Sequence, residues 1–204
     1  MTVVEQAFAA AYDALNSGVE GRLAKYRRAT AGQAVGDALE IGGGTGANLP
    51  FYPPDARLTF VEPNPHMAKR LRRTAAGAGR EVTVVPGWGE SLPFAEDSFD
   101  SVVATLVLCM VGDQDLVVRE ARRVLRPGGA FYFYEHVASD RVLRRWWENT
   151  LNPAWRFVTT GCNLNRDTAT VIRAAGFSSV ELTAFDLSVG LPLKLPNIVG
   201  IARV

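Results

Sequence analysis

The chain has 204 residues, enough for one domain whose core needs no disulfide or metal staple. Hydrophobic residues make up 48% and charged residues 21%, which excludes a disordered or membrane-embedded class. With 22 Lys and Arg against 21 Asp and Glu the net charge is +1, so the basic excess that a nucleic-acid partner demands is missing. Cys109 and Cys162 are far apart and outside any CxxC spacing, which argues against a zinc site or disulfide framework and suits a reducing compartment. Glu5 and Asp13 interrupt the N-terminal apolar pattern a signal peptide would need, and no apolar run approaches the roughly 18 residues of a membrane span. A cytoplasmic location is expected.

In chain order, residues 3–29 read as helical with a break near Asn16-Ser17-Gly18, and Phe8, Tyr12, Leu15, Leu23 and Tyr26 form one apolar stripe. After Thr30-Ala31-Gly32 the texture changes to strands alternating with helices. Asp37 to Ile41, Arg57 to Val61 and Val82 to Val85 read as strands, with Pro65 to Ala76 as a helix between the second and third. Ser101 to Met110 is a long apolar run, and Asp115 to Leu125 is a helix with Val117, Val118, Ala121 and Val124 inward. Arg126-Pro127-Gly128-Gly129 stops that helix, and Ala130 to Tyr134 is the fifth strand. Arg141 to Thr160 is a Trp-rich helical insertion interrupted by Pro153; Asp167 to Ala175 is a helix stopped by Gly176. Val180 to Phe185 and Asn197 to Val204 close the chain as two strands linked through Pro192 and Pro196.

Near-continuous apolar strands joined by helices mean a parallel sheet covered on both faces. The expected fold is α/β, a Rossmann-like seven-stranded, mostly parallel sheet with an antiparallel C-terminal strand. It forms one domain over residues 1–204, with an N-terminal helical cap (1–36) and the Trp-rich insertion (139–165).

The sharpest local signal is Glu40-Ile41-Gly42-Gly43-Gly44-Thr45-Gly46, directly after the first strand. Glycines there let backbone N–H groups approach a ligand that side chains would block. Gly42, Gly44 and Ala47 also fit the dinucleotide pattern GxGxxA, so a nicotinamide cofactor is an alternative. Glu62, in Phe60-Val61-Glu62-Pro63-Asn64 at the end of the second strand, can accept both hydroxyls of a ribose.

The spacing E-x-G-x-G-x-G resembles the first motif of class I S-adenosylmethionine (SAM) methyltransferases. Gly87-Trp88-Gly89-Glu90-Ser91-Leu92-Pro93-Phe94, Ser98-Phe99-Asp100-Ser101-Val102 and Leu125-Arg126-Pro127-Gly128-Gly129 resemble the remaining motifs in order. The resemblance implies SAM as cofactor, with Glu40, Gly42, Gly44, Gly46, Asn48, Glu62, Pro63, Asn64, Met67, Trp88, Gly89, Glu90, Thr105 and Leu106 in its site and no metal. Trp88 stands where the family commonly has the Asp that accepts from adenine, so stacking by Trp88 or a backbone contact from Gly89 takes its place.

Longer stretches resemble the methyltransferase-like seven group, the alkyl thiol methyltransferases of animal endoplasmic reticulum. They are GGGTGANLPFYPP (42–54), VEPNPHM (61–67), TLVLCMV (105–111), VLRPGGAFYFYEHVA (124–138) and LNPAWRFVTTGCNLNR (151–166). The last lies outside the generic motifs and is the most particular. Gly43 replaces a cysteine of that group, and its membrane-anchoring N-terminal segment has no counterpart here. The resemblance implies a small apolar methyl acceptor, a thiol.

His136 directly follows the fifth strand, where acceptors bind in open α/β sheets, and a neutral imidazole there can take the acceptor's proton. A structural histidine paired with Glu135 is the bland alternative. Tyr12, His136, Trp147 and Trp155 are the candidate acceptor contacts. The Trp-rich segment reads as a lid or as core, and Arg141, Arg144 and Arg145 beside it also permit peripheral contact with a membrane surface. Cys162 reads as a small packed residue. Other acceptors (hydroxyl, amine or carbon in a lipid, quinone or natural product) and a non-catalytic SAM-binding protein remain as alternatives.

Overall fold

A computed structural model describes residues 21–159, 161–188 and 194–204. The expected helix from residue 3 and the candidate contact Tyr12 lie outside these residues, as does the link through Pro192. Residues 21–29 are helical (α1). The elements that follow are β1 (Asp37–Ile41), β2 (Arg57–Val61), α2 (Pro65–Gly77), β3 (Val82–Val85), β4 (Phe99–Thr105), α3 (Gln114–Val124), β5 (Leu125–His136), α4 (Val142–Val158), α5 (Thr168–Ala174), β6 (Ser179–Ser188) and β7 (Lys194–Arg203).

The seven strands form one sheet in the order β3-β2-β1-β4-β5-β7-β6. β1 to β5 pair in parallel, and β7 runs antiparallel between β5 and β6, so the mostly parallel sheet with an antiparallel C-terminal strand is as expected. The central strands are buried along nearly their whole length, whereas edge strand β6 alternates half-buried and exposed positions. Val117, Val118, Ala121 and Val124 of α3 and Ile172 of α5 pack one face; Leu71 and Ala75 of α2 with Ala31 and Ala34 pack the other.

Helix starts follow local chemistry. Asn64 Oδ1 accepts from the backbone N–H groups of His66 and Met67 ahead of Pro65, and Asp113 and Asp167 cap α3 and α5 in the same way.

Two expectations are corrected. β5 does not wait for Ala130: it begins at Leu125, opposite Phe99, and passes through Arg126–Gly129 after a register shift. Arg126 holds this stretch down by reaching Asp100 (2.7 Å) and Asp37 (3.0 Å). Within the apolar run Ser101 to Met110, the fourth strand ends at Thr105 and Leu106 to Met110 turn. Pro153 does not interrupt α4. The carbonyl it leaves without a donor belongs to Asn149, whose exposure lets water satisfy it.

Candidate functional site

Strand order reverses between β1 and β4, and in such sheets the crevice at the carboxyl ends of those strands holds the ligand. The glycine loop leaves β1 there. Gly42 has φ +71°, and a Cβ on it would lie 2.3 Å from Val107 in the turn after β4, so only glycine lets the two strand ends meet. Gly44 has φ +54° but faces open space: its Cβ would meet only the Gly42 carbonyl, at 4.0 Å. A loop that could accommodate a side chain sterically, yet is held in a glycine conformation, fits a ligand laid against its backbone.

Glu62 is buried beneath this loop. Its Oε2 accepts from Gly44 N (2.8 Å) and its Oε1 from Asn64 N (2.9 Å). Burial raises its pKa, and the two N–H donors pull it back. An ionised carboxylate offers about four lone-pair positions. Two are therefore left for ribose hydroxyls. Pro63 and Asn64 follow, with Met67 buried on the first turn of α2.

Glu40, also buried, accepts from Asn48 Nδ2 (3.0 Å) and Tyr52 OH (2.6 Å). Asn48 also donates to Thr105 Oγ1 (3.1 Å) and accepts from the buried Arg27 (2.7 Å), which ties α1, β1 and β4 together. Burial pushes the Glu40 carboxyl up to about 7 against these hydrogen bonds. Leu106 has φ +56°, a strained conformation for a branched side chain, and its N–H donates to Tyr134 O (2.8 Å). On the far wall, Trp88 is 68% exposed and offers a free ring face, while Gly89 is packed against Ile41 and Val117. Glu90 Oε1 accepts from Gly112 N (2.7 Å), and its buried Oε2 has no partner among the described residues. The open glycine cradle, the free capacity of Glu62 and the bare Trp88 face fit an adenosyl ligand.

The end of β5 is built differently. Glu135 is fully buried and accepts from the N–H groups of Val107, Leu108 and Cys109, holding the turn after β4. Burial raises its carboxyl to about 7. The adjacent His136 is therefore not paired with Glu135. Neither His136 nitrogen has a well-directed partner among the described residues, and the same is true of Tyr134 OH and Trp155 Nε1, all buried. The Tyr26 ring of α1 is stacked against both Tyr134 (centroids 4.9 Å apart) and Phe185 (4.3 Å), which also stack on each other (6.2 Å), over this end of the sheet.

The two cysteines, distant in sequence, meet here as free thiols. Asn163 donates to Cys109 O through both its backbone N and its Nδ2, each at 2.9 Å, and lays the 161–163 loop on the β4 turn. The Cys162 pKa is lowered, first by the Cys109 thiol and then by His136 and Trp155, while Cys109 is raised. Trp147, by contrast, is half exposed and stacks edge-on against Trp146. Arg27, Tyr52 and Tyr26 join the site without having been singled out as site residues from the sequence; Tyr52 and Glu135 lay inside motif-bearing stretches, and Glu135 holds the β4 turn instead of pairing with His136.

A parallel-sheet nucleotide crevice with a glycine loop, an acidic residue after β2 and a closing antiparallel strand defines a methyltransferase of the Rossmann-like class. The methyltransferase-domain family matches residues 39–133. The human thiol S-methyltransferase TMT1A is 42% identical over 168 residues, covering 80% of this chain and 69% of that protein. The rat thiol S-methyltransferase TMT1B is 41% identical over 149 residues, covering 71% of this chain and 61% of that one. In fold, a SAM-dependent methyltransferase from Methanosarcina mazei superposes with a TM-score of 0.67 at 19% identity, covering 84% of this chain and 93% of that chain. The chain belongs to the family that these thiol S-methyltransferases represent, a family of SAM-dependent methyltransferases.

Proposed function

We propose that this enzyme methylates small, apolar thiols, with the acceptor entering between the glycine-loop crevice and the end of β5, in a reducing compartment such as the cytoplasm. The observation that carries the placement is the group of buried polar atoms on His136, Tyr134 and Trp155 that have no well-directed partner among the described residues, beside the β4 turn. Buried polar groups are ordinarily hydrogen-bonded, so four such atoms around one strand end fit a ligand that completes them. The identity of the relatives as thiol S-methyltransferases, and the apolar stack of Tyr26, Tyr134 and Phe185, support a small apolar thiol.

Gly42, Gly44, Gly46 and Glu62 hold the donor, with Asn48 and Thr105 fixing the loop, and SAM supplies a methyl group on a positively charged sulfur. The chain's own contribution is alignment and exclusion of water, since an in-line displacement needs both more than it needs a nucleophilic side chain. His136 would take the acceptor thiol's proton onto a ring nitrogen as the thiol sulfur displaces the donor's sulfur, with its electron pair, from the methyl carbon. A thiol with an ordinary pKa near 8.5 is already partly ionised at neutral pH and leans on this base only modestly.

A methylation screen with SAM over alkyl thiols, phenols, amines and quinones tests the reading. Turnover of apolar thiols above the others is expected. Turnover of phenols, amines or quinones with inert alkyl thiols at saturating SAM would move the acceptor to another class.

A further inference from the structure

α4 is an amphipathic helix mounted the wrong way out. At 100° per residue, Val142, Leu143, Trp146, Trp147, Leu151 and Phe157 fall on one arc of about 180°. A helix on a protein surface ordinarily turns such an arc inward. Here Val142 and Phe157 are each 86% exposed, Leu143 is 73% exposed, and Trp146, Trp147 and Leu151 are half exposed.

The polar arc is what fastens the helix to the body. Glu148 Oε2 accepts from Ser139 N (2.8 Å), and Asn152 Oδ1 accepts from Leu164 N (2.7 Å). Asn149 Oδ1 accepts from Asn165 Nδ2 (2.8 Å), and Arg144 reaches Asp186 (3.0 Å). These bonds fix the helix about its axis, so the apolar arc is held outward by the fold.

A cleft of about 460 Å³ at the start of α4 is lined by Arg141, Arg144, Arg145 and Arg173 together with Asp140, Asp167 and Asp186. Asp186 and Asp167 face Arg144 and Arg145 (3.0 and 3.9 Å), while Arg141 and Arg173 have no carboxylate within 4 Å among the described residues. Arg156 adds a further exposed cation on the flank.

We propose that this face of α4 docks on an anionic lipid surface, with the apolar arc at the headgroup–acyl boundary and Arg141, Arg156 and Arg173 on lipid phosphates. An apolar arc rich in Trp and Leu with arginines on the remaining circumference is the chemistry of a helix lying in a membrane interface. Charge complementarity favours that occupant, and so does size. A 17-residue helix is roughly 25 Å long and presents on the order of 250 Å², about a third of the ~800 Å² per partner of a stable protein interface. A lipid surface has no such area requirement. Docked in this way, α4 places its inward-turned Trp155 and the acceptor end of β5 next to the phase in which an apolar acceptor concentrates.

The test is co-sedimentation of the full chain with vesicles of phosphatidylcholine alone or with about a third phosphatidylserine, at low and high salt. Binding that rises with phosphatidylserine and falls with salt is expected. The triple variant Leu143→Ser, Trp146→Ser, Phe157→Ser should lose about tenfold or more in partitioning, with the thermal melt and SAM affinity of the parent retained. Sedimentation equilibrium supplies the second arm. A parent that stays in the supernatant, a triple variant that partitions like the parent, or a parent dimer that the triple variant abolishes would each overturn the proposal, the last in favour of a second copy on this face.

Discussion

The carboxyl ends of β1 and β2 and the carboxyl end of β5 belong to one crevice but are finished to different degrees. On the β1–β2 side the protein supplies nearly every partner itself: Glu62 by Gly44 and Asn64, Glu40 by Asn48 and Tyr52, Asn48 by Arg27. On the β5 side His136, Tyr134 and Trp155 keep buried polar atoms without a well-directed partner among the described residues. A site for a fixed cofactor is preorganised by internal hydrogen bonds, whereas a site for a variable acceptor leaves valences for the acceptor to fill. The two sides should therefore respond separately to substitution.

The largest effect belongs to the loop. Gly44→Val places a branched side chain in the space over the loop and in a left-handed conformation. The strain of about 1–2 kcal/mol lies within an ordinary stability margin, so the variant should fold. Calorimetry should show no SAM or S-adenosylhomocysteine binding; retained affinity would mean the ligand does not lie against Gly44.

Next comes Glu62→Ala, expected to weaken cofactor affinity by about 1.5–3 kcal/mol through loss of charge-assisted hydrogen bonds and slackening of Gly44. Unchanged affinity would place the ribose elsewhere.

The smallest effect is a pH slope in stability. Glu40, with an ordinary value of 4.5, is raised to about 7 in the folded chain, so between these values the folded state holds more protons than the unfolded one. Stability then falls as pH rises through that window and the cost is complete above it. Glu40→Gln removes one titration and should lose less melting temperature than the parent between about pH 5.5 and about pH 8, by a few degrees. Parallel melting curves would show that Glu40 does not titrate there. Glu135, raised by the same burial at the other strand end, contributes a slope that the variant leaves in place.

The cofactor side was legible in the sequence because its signals are local. A glycine run follows an apolar strand, and an acid closes the next strand. The strands β1, β2 and β3 begin and end where apolar runs do. The acceptor side was not, because its neighbours are brought together by the sheet. Cys109 and Cys162 are 53 positions apart yet share a hydrogen-bonded turn, and Tyr26 reaches Tyr134 and Phe185 only through chain-distant packing. The Trp-rich helix near Trp146 was legible, as a lid or as core, but not which side it turns to solvent. That orientation depends on the partners of Glu148, Asn149 and Asn152, which lie on other segments. The Arg-Pro-Gly-Gly stretch ended a helix as read, yet it also carries strand pairing because Arg126 is anchored on Asp37 and Asp100.

The separation of the two sides is tested most directly by His136→Ala, measured both by SAM calorimetry and by kcat over apolar thiols graded by pKa. The account predicts unchanged cofactor affinity and a loss in kcat that grows with acceptor pKa, approaching roughly a hundredfold for the least acidic thiols and vanishing for the most acidic. A fall in SAM affinity that accounts for the lost turnover, or an equal loss across the series, would contradict it.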